Sequence, residues 1–319
     1  MFHRVLAASL RLAGLAGTAV AFAAAAQAAD NIRYVSTAGS NANNCKLATP
    51  CRSLQRGINR TPVGGELRIL DSGDYGANGN IQKSLTISGN GHTIFVGNGI
   101  VIDNADAVVV LRRLALDGQG TVGEGINIDA ATAVHIEHCV IRNFTSGILA
   151  GAANAAVFIL DSISRDNKAA GLFFFNVVGT IDNSRFENNG VFGIQVSGGR
   201  TTIHRSTVSA NGGDGVVVTT NGTQLGILST VSAQNGGSGF RATTGAGMTV
   251  DSSMALGNAD AGLDVSSTGN SSARISLSTF IGNGIGIDNG GTVETRGNST
   301  VRSNTTDFAG NALTPIGGD

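Results

Sequence analysis

The chain has 319 residues, a formal net charge of −1, 47 glycines, 3 prolines and no tryptophan. So small a net charge excludes the strongly basic surface with which proteins bind nucleic acid or an anionic membrane. Low charge and abundant glycine also occur in disordered chains. The regularly recurring Val, Ile, Leu and Phe nevertheless predict a folded protein, because they supply apolar surface to bury.

Residues 1–28 have the pattern of a secretory signal peptide. A short positive start at Arg4 precedes an Ala-rich apolar run, which ends in the small-x-small sequence Ala26–Ala28. This run is too short for a membrane anchor, and no later stretch is apolar enough to span a bilayer. Its removal leaves 19 basic and 22 acidic residues, a net charge of −3. We therefore expect an exported protein, secreted or periplasmic, with no membrane span.

A short helix is predicted inside an N-terminal cap formed by residues 29–63. Leu54 and Ile58 have helical spacing, and Ser53 stands where a helix N-cap is expected. The cap and residues 64–319 are predicted to form one domain.

The three cysteines have different predicted states. Cys45 and Cys51 flank a five-residue loop, which in an exported protein predicts a disulfide. Zinc binding is the weaker alternative, because no histidine lies nearby and two thiolates do not complete a structural site. Cys139 is predicted to be small, buried and unpaired.

Short apolar stretches follow the cap and predict strands of less regular early repeats. They are Glu66–Leu70, Ser84–Ser88, Gly91–Phe95 and Ala107–Gly118.

An internal repeat occupies the rest of the chain. A glycine followed by a large apolar residue recurs at intervals of 22–24 residues, at Gly125, Gly147, Gly171, Gly193, Gly215, Gly239, Gly262 and Gly286. An asparagine lies four residues before most of these glycines, at Asn143, Asn167, Asn189, Asn211, Asn235 and Asn258, and Asn283 lies three before the last.

Each repeat predicts one coil of a parallel β-helix. Apolar residues alternate within it, as at Ile194 and Val196, and the runs are short and separated by turn-forming residues. Three short strands and three turns fit into one repeat, and each coil buries its apolar face only by stacking on its neighbours at about 4.8 Å. The recurrent Asn side chains are predicted to form a ladder of hydrogen bonds between coils, and the N-terminal helix to plug the open end of the core.

The chain resembles the right-handed parallel β-helix proteins of the pectate-lyase-like superfamily, secreted bacterial type. The resemblance covers about Tyr34 to Asn311, and its specific part is the start, "YVSTAGSNANNCKLATPCRSLQRGIN", "GGELRILDSGDYG" and "IQKSLTISG". It implies an all-β fold, a right-handed parallel β-helix with a short N-terminal capping helix. That superfamily includes polysaccharide lyases, glycoside hydrolases, uronate epimerases, tailspikes and adhesins, so function has to be argued from a site.

The strand after each coil glycine predicts one outward column of side chains. The column consists of Asn127, Leu149, Phe173, Gln195, Val217, Arg241 and Asp264. Because most of these are neutral or apolar and Asp264 is isolated, we expect neither the calcium site of pectate lyases nor any other metal or cofactor. The Asp-Pro-His-Asp signature of the epimerases is also missing. Leu149 and Phe173 are a predicted ligand-binding stripe for sugar rings or a partner, and a covering loop is the alternative.

The next strand carries the candidate catalytic residues. Glu137, Leu160, Asp182 and His204 are predicted to align in one column, and His138, Asp161, Asn183 and Arg205 in the next. If the protein is an enzyme, His204 is the acid or base, Asp182 orients it, and Arg205 holds a substrate carboxylate, with Glu137, His138 and Asp161 alongside. The alternative is a solvated row of opposite charges with no substrate.

Two classes of function fit these features. The first, which we favour because no catalytic signature of the superfamily is present, is a non-catalytic protein that binds a polysaccharide or another cell-surface component. The second is a polysaccharide-active lyase or hydrolase.

Overall fold

A computed structural model describes residues 31–317 except residues 121, 122 and 154. The predicted signal peptide lies outside the described residues. Within the described part of the chain, no helix is long and apolar enough to cross a membrane.

The described residues form one helix, α1 (Leu54–Arg60), and 33 strands. In chain order the strands are β1 Ile32–Val35, β2 Glu66–Ile69, β3 Gly73–Asp74, β4 Gly79–Ile81, β5 Leu85–Ser88, β6 Thr93–Phe95, β7 Ile100–Asp103, β8 Val108–Arg112, β9 Ala115–Asp117, β10 Glu124–Ala130, β11 Ala133–Glu137, β12 Val140–Arg142, β13 Ser146–Ala150, β14 Ala156–Leu160, β15 Ile163–Arg165, β16 Leu172–Asp182, β17 Arg185–Glu187, β18 Ile194–His204, β19 Thr207–Ser209, β20 Val216–Thr219, β21 Gln224–Leu228, β22 Val231–Ala233, β23 Phe240–Ala242, β24 Gly247–Asp251, β25 Met254–Leu256, β26 Ala261–Val265, β27 Ser272–Ser276, β28 Thr279–Ile281, β29 Ile285–Asn289, β30 Thr292–Thr295, β31 Thr300–Arg302, β32 Thr306–Gly310 and β33 Thr314–Pro315.

The strands stack in three parallel sheets along the axis of a solenoid. Sheet 1 contains β1, β2, β5, β8, β11, β14, β16, β18, β21, β24, β27, β30 and β33. Sheet 2 contains β4, β7, β10, β13, β16, β18, β20, β23, β26, β29 and β32. Sheet 3 contains β3, β6, β9, β12, β15, β17, β19, β22, β25, β28 and β31, one strand from each of eleven coils.

This architecture confirms the predicted parallel β-helix. The long strands β16 and β18 pair in sheet 2 over their first halves and in sheet 1 over their second halves. The inward side chains, Val, Ile, Leu and Phe, fill one continuous core. Of the predicted early strands, the stretch 107–118 is divided into β8 and β9, because Arg113 between them adopts a left-handed φ of 52° and turns the corner.

The predicted N-terminal helix is present. The Ser53 side chain caps it by accepting a hydrogen bond from the Arg56 backbone N–H at 3.3 Å. Leu54 and Ile58 are buried, and both approach Gly79 on β4 so closely that a Cβ there would clash. The helix therefore packs against the first coils with its apolar face.

The cysteines adopt the predicted states. Cys45 and Cys51 form a disulfide with Cα atoms 4.7 Å apart. Cys139 is free and buried, and burial raises the pKa of its thiol to about 12.

The asparagine ladder forms one corner of the solenoid. Each Asn side chain donates to the next Asn side chain at 2.9–3.0 Å, and the same oxygen accepts from the backbone N–H of the preceding Asn. The rungs are Asn167, Asn189, Asn211, Asn235, Asn258, Asn283 and Asn304. Asn304 extends the ladder one coil beyond the sequence prediction.

Asn143 is not a rung, so its predicted place in the ladder is wrong. Asn143 lies one position earlier in its coil with a φ of 62° and donates to Asp117. Phe144 takes the rung position, and its backbone N–H donates to Asn167 at 3.1 Å. An apolar ring thus ends the ladder on its N-terminal side.

A second ladder of hydroxyl groups forms another corner. Each hydroxyl accepts from the backbone N–H of the preceding coil and donates to the carbonyl two residues before it, as Ser184 does to Asp182 at 2.8 Å. The rungs are Ser162, Ser184, Ser206, Thr230, Ser253 and Ser278. Cys139 stands at the head of this ladder, as the sequence alignment of coils predicted.

We expect Asn211→Ala to lower the free energy of unfolding by about 1–3 kcal/mol, because it leaves buried donors and acceptors of two neighbouring coils unpaired. Asn221→Ala is the matched control, since Asn221 is exposed in a turn outside the ladder. Denaturant unfolding of both variants measures the difference. Equal stability of the two would contradict the role of the ladder.

Candidate functional site

The predicted catalytic columns lie at the corner between sheets 1 and 3. Strand register places Glu137 beside Leu160, Leu160 beside Asp182 and Asp182 beside His204. The next residues, His138, Asp161, Asn183 and Arg205, have left-handed φ values of 46–53° at the turn. The structure therefore brings together the residues that the sequence aligned, and we call this set the corner ridge.

Asp182 neutralises Arg205 within the ridge. Arg205 Nε donates to Asp182 Oδ1 at 3.0 Å, and a second guanidinium N–H donates to Oδ2. These hydrogen bonds hold the pKa of Asp182 below its ordinary value. Arg205 would have to leave Asp182 before it could bind the carboxylate of a substrate.

The other ridge groups also pair among themselves. His204 Nδ1 lies 3.5 Å from Asp182 Oδ1, and His138 Nδ1 lies 3.6 Å from Asp161 Oδ2. Asn183 donates to Asp161 as well. The exposed side chain of Leu160 stands between Glu137 and Asp182 in the column, so the ridge holds charge pairs rather than two opposed carboxylates.

The outward column of sheet 2 also has the predicted register. It runs from Asn127 to Asp264 through Leu149 and Phe173. Leu149 and Phe173 are only half-buried on this face, whereas Phe174 points inward and is fully buried.

Asp264 is not isolated, and that prediction is wrong. Arg241 Nε lies 2.9 Å from Asp264 Oδ2, and another guanidinium nitrogen lies 3.3 Å from Asp214 Oδ2. The column continues one coil further to Asp288, which pairs in register with Asp264. The three aspartates around Arg241 are named the Arg241 cluster below. The described residues contain no group of His, Cys, Asp or Glu arranged to hold a metal ion.

The Arg241 cluster holds a carboxyl group with an altered pKa. Burial raises the pKa of Asp264 to about 6; Arg241 opposes this shift, and Asp288, Asp260 and Asp214 add to it. Arg241 Nε is close to Asp264 but forms no hydrogen bond of good geometry. Arg241 therefore offsets only part of the rise that burial causes in the pKa of Asp264. Asp264 therefore titrates in the range where a carboxyl group can exchange protons near neutral pH.

A polar trough of ≈ 520 Å³ lies on the outer face of sheet 1, beside the corner ridge. Its floor is the register column Thr202, Gly226 and Thr249. Arg274 follows Thr249 in that column and forms an ion pair with Glu294, Nε to Oε2 2.7 Å, which closes one end. We call this feature the sheet 1 trough.

One side of the trough carries polar side chains. Arg200 and Gln224 are adjacent in register, and Ser272 lies two coils beyond Gln224. Arg200 is exposed and forms no ion pair with any described residue. His204 does not line the trough but lies two residues beyond Thr202 on the same strand, so the trough and the corner ridge are neighbours on sheet 1.

Two glycines keep the trough open, although neither packing nor backbone conformation requires glycine at these positions. A Cβ at Gly226 would come no closer than 3.8 Å to Thr202, and one at Gly247 no closer than 3.7 Å to Ser272. Neither glycine has a positive φ, and the strand register is unbroken at both. Glycine within a regular strand weakens it, and where no bulge or bend requires it, it often marks the close approach of a ligand.

Sequence reasoning missed both the trough and the Arg241 cluster. For the cluster a signal was available, because Asp288 follows Gly286 at the same offset as Asp264 follows Gly262. For the trough the signal is the absence of a side chain at Gly226 and Gly247, which only becomes visible when register and outward direction are known.

Comparison with known proteins identifies the fold. Residues 170–313 match the family model described as "Right handed beta helix region", and no curated protein matches the chain significantly in sequence. Pectate lyase Pel9A superimposes with a TM-score of 0.57 at 17% identity, over 89% of this chain and 79% of that one. The A-module of the Azotobacter vinelandii mannuronan C-5 epimerase AlgE6 superimposes with a TM-score of 0.54 at 17% identity, over 79% of this chain and 90% of that one. The chain is thus a right-handed parallel β-helix protein with the pectate-lyase-like fold.

Proposed function

We propose that this protein is an exported, non-catalytic β-helix protein that binds a polysaccharide segment in the sheet 1 trough. The observation that carries the proposal is the pair Gly226, on the floor of the trough, and Gly247, on its side, which leave space although neither packing nor backbone geometry requires glycine there.

The side chains of the trough suit the hydroxyl groups of sugars. Thr202, Thr249 and Ser272 supply hydroxyls that both donate and accept, and Gln224 supplies an amide that does the same. Arg200 adds donors that no carboxylate of the described chain occupies, so it can bind sugar hydroxyl or carboxylate oxygens. The two similar structures described above are named as enzymes of pectate and of mannuronan, which supports a glycan as the ligand class.

The corner ridge favours binding over catalysis. Asp182, the residue predicted to orient His204, is held by Arg205, which donates to both of its carboxylate oxygens. Arg205 in turn has its planar N–H fork occupied. The group predicted to bind a substrate carboxylate and the group predicted to orient His204 thus satisfy each other, which supports binding over catalysis.

Filling the trough is the direct test. We expect Gly226→Leu to weaken polysaccharide binding by about tenfold or more, because the new side chain would stand where the ligand lies. Gly151→Leu is the control, since Gly151 is exposed in a turn away from the trough and a Cβ there meets no atom within 4 Å. The probes are polygalacturonate, polymannuronate and a neutral β-glucan, with binding measured by calorimetry.

The stability of variants at Gly226 distinguishes an effect on ligand binding from an effect on folding. Gly226→Ala should leave the free energy of unfolding unchanged or raise it by about 0.4–1 kcal/mol, because it reduces the entropy of the unfolded chain. If Gly226→Leu lost binding and also had a lowered melting temperature, the loss would reflect a folding defect. If Gly226→Leu bound polysaccharide as well as the wild type, the trough would be refuted as the site.

A second candidate function, a polysaccharide lyase or hydrolase, is favoured by one observation, the raised pKa of Asp264 in the Arg241 cluster. A carboxyl group with a pKa of about 6 can donate a proton to a leaving group or abstract one from a uronate, while Arg241 stabilises negative charge beside it. This candidate uses sheet 2 and not the predicted ridge.

Asp264→Asn tests this candidate in two ways. Since the pKa of Asp264 is raised on folding, ionisation of this carboxyl destabilises the folded state as the pH rises from about 4 through 6. The melting temperature of the variant relative to the wild type should therefore increase between pH 4.5 and pH 7.5. If the protein is an enzyme of this kind, Asp264→Asn should also lower the rate at which unsaturated or reducing ends are released by about a hundredfold. If the wild type shows no turnover, binding is left as the function.

A further inference from the structure

We propose that Phe158 forms a stacking platform for a sugar ring at the N-terminal end of the sheet 1 trough. This inference rests on the proposed function, because it assigns a subsite to the same ligand. Phe158 precedes Thr180 and Thr202 in the register column that continues into the trough floor.

The orientation of the Phe158 ring follows from its partner. His135 is the register neighbour of Phe158 on the preceding strand. The two rings stack with centroids 4.7 Å apart and an interplanar angle of 14°. Because that separation equals the spacing of neighbouring strands, the two nearly parallel rings follow one another along the solenoid axis. His135 therefore covers the N-terminal face of Phe158, and the other face is directed towards the trough.

Small residues leave this second face accessible. Thr180, the next residue in the column, is too short to cover a phenyl ring, and Thr202 and Gly226 follow it. Phe158 remains 38% exposed, although its N-terminal face is stacked on His135. The exposed side chains of Leu160 and Val178 lie on either side, so an apolar patch ends the polar trough at this point.

This arrangement fits a glycan chain that lies along the solenoid axis. The C–H groups of a pyranose ring carry slight positive charge and suit the negative face of an aromatic ring. A terminal ring on Phe158 would direct the rest of the chain over Gly226 towards Arg274. Phe158 and Arg274 are five coil steps apart, roughly 24 Å at about 4.8 Å per step, so the site takes an oligosaccharide rather than a single sugar.

Calorimetric titration of the full mature chain with the polymers that bind the wild type tests this subsite. Phe158→Ala and Phe158→Leu should both raise Kd by about tenfold, since Leu keeps apolar contact but has no aromatic face. Phe158→Trp should retain binding. Phe175→Ala is the matched control, because Phe175 is 47% exposed on β16 outside the register column of the trough and should leave Kd unchanged.

The outcomes separate the subsite from the trough. Wild-type affinity in both Phe158→Ala and Phe158→Leu, together with weakened binding by Gly226→Leu, would overturn the platform and leave the trough as the site. Affinity retained by Phe158→Leu but lost in Phe158→Ala would also overturn it, because contact area and not an aromatic face would then be responsible. A wild type that binds none of the three polymers would overturn both proposals.

Discussion

Hydrogen bonding between successive coils at the corners is the constraint on which the rest of the structure depends. The strands and several corner residues pair through their own backbone, but the N–H groups at the Asn and hydroxyl corners donate to side chains. Asn and hydroxyl side chains of the following coil satisfy them instead, as Asn211 does for Asn189 and Ser206 does for Ser184. A buried backbone donor left unpaired costs as much as a lost hydrogen bond, so each coil is held in register by the next.

This register has a functional consequence on the outer surface. Because corners and core fix every coil, the outward side chains contribute little to folding and can differ from coil to coil. Residues 22–24 positions apart in sequence become neighbours, as Arg241 and Asp264 do in one column and Asp182 and His204 in another. The same scaffold thereby presents a charged cluster on sheet 2 and an open trough on sheet 1 without any change in its core.

The sequence predicted what repeats, and failed where a coil departs from the average. The β-helix and the register of the corner ridge follow from counting between equivalent small residues, and the helix α1 follows from the spacing of Leu54 and Ile58 after Ser53. Asn143 was misplaced because its coil is one residue shorter between the strand of sheet 3 and the coil glycine, which moves Phe144 onto the rung. The Arg241 cluster was missed because Arg241 reaches both Asp214, before a coil glycine, and Asp264, after another. Spacing places Arg241, Asp264 and Asp288 in one column, but the contact of Arg241 with Asp214 depends on side-chain conformation.

The difference between the two outer faces bears directly on what the protein can do. Asp182 on sheet 1 is half-buried and paired with Arg205, which lowers its pKa and keeps it ionised over the whole neutral range. Asp264 on sheet 2 is more buried, and its single cation also faces Asp214, so it retains a proton to higher pH. A ligand in the proposed trough would meet hydroxyls, an amide and Arg200, which forms no ion pair with any described residue, and these groups bind oxygen atoms without exchanging protons. The proposed recognition in the sheet 1 trough rests on these oxygen-binding groups, and the alternative of proton transfer rests on the contrasting environment of Asp264 in the Arg241 cluster.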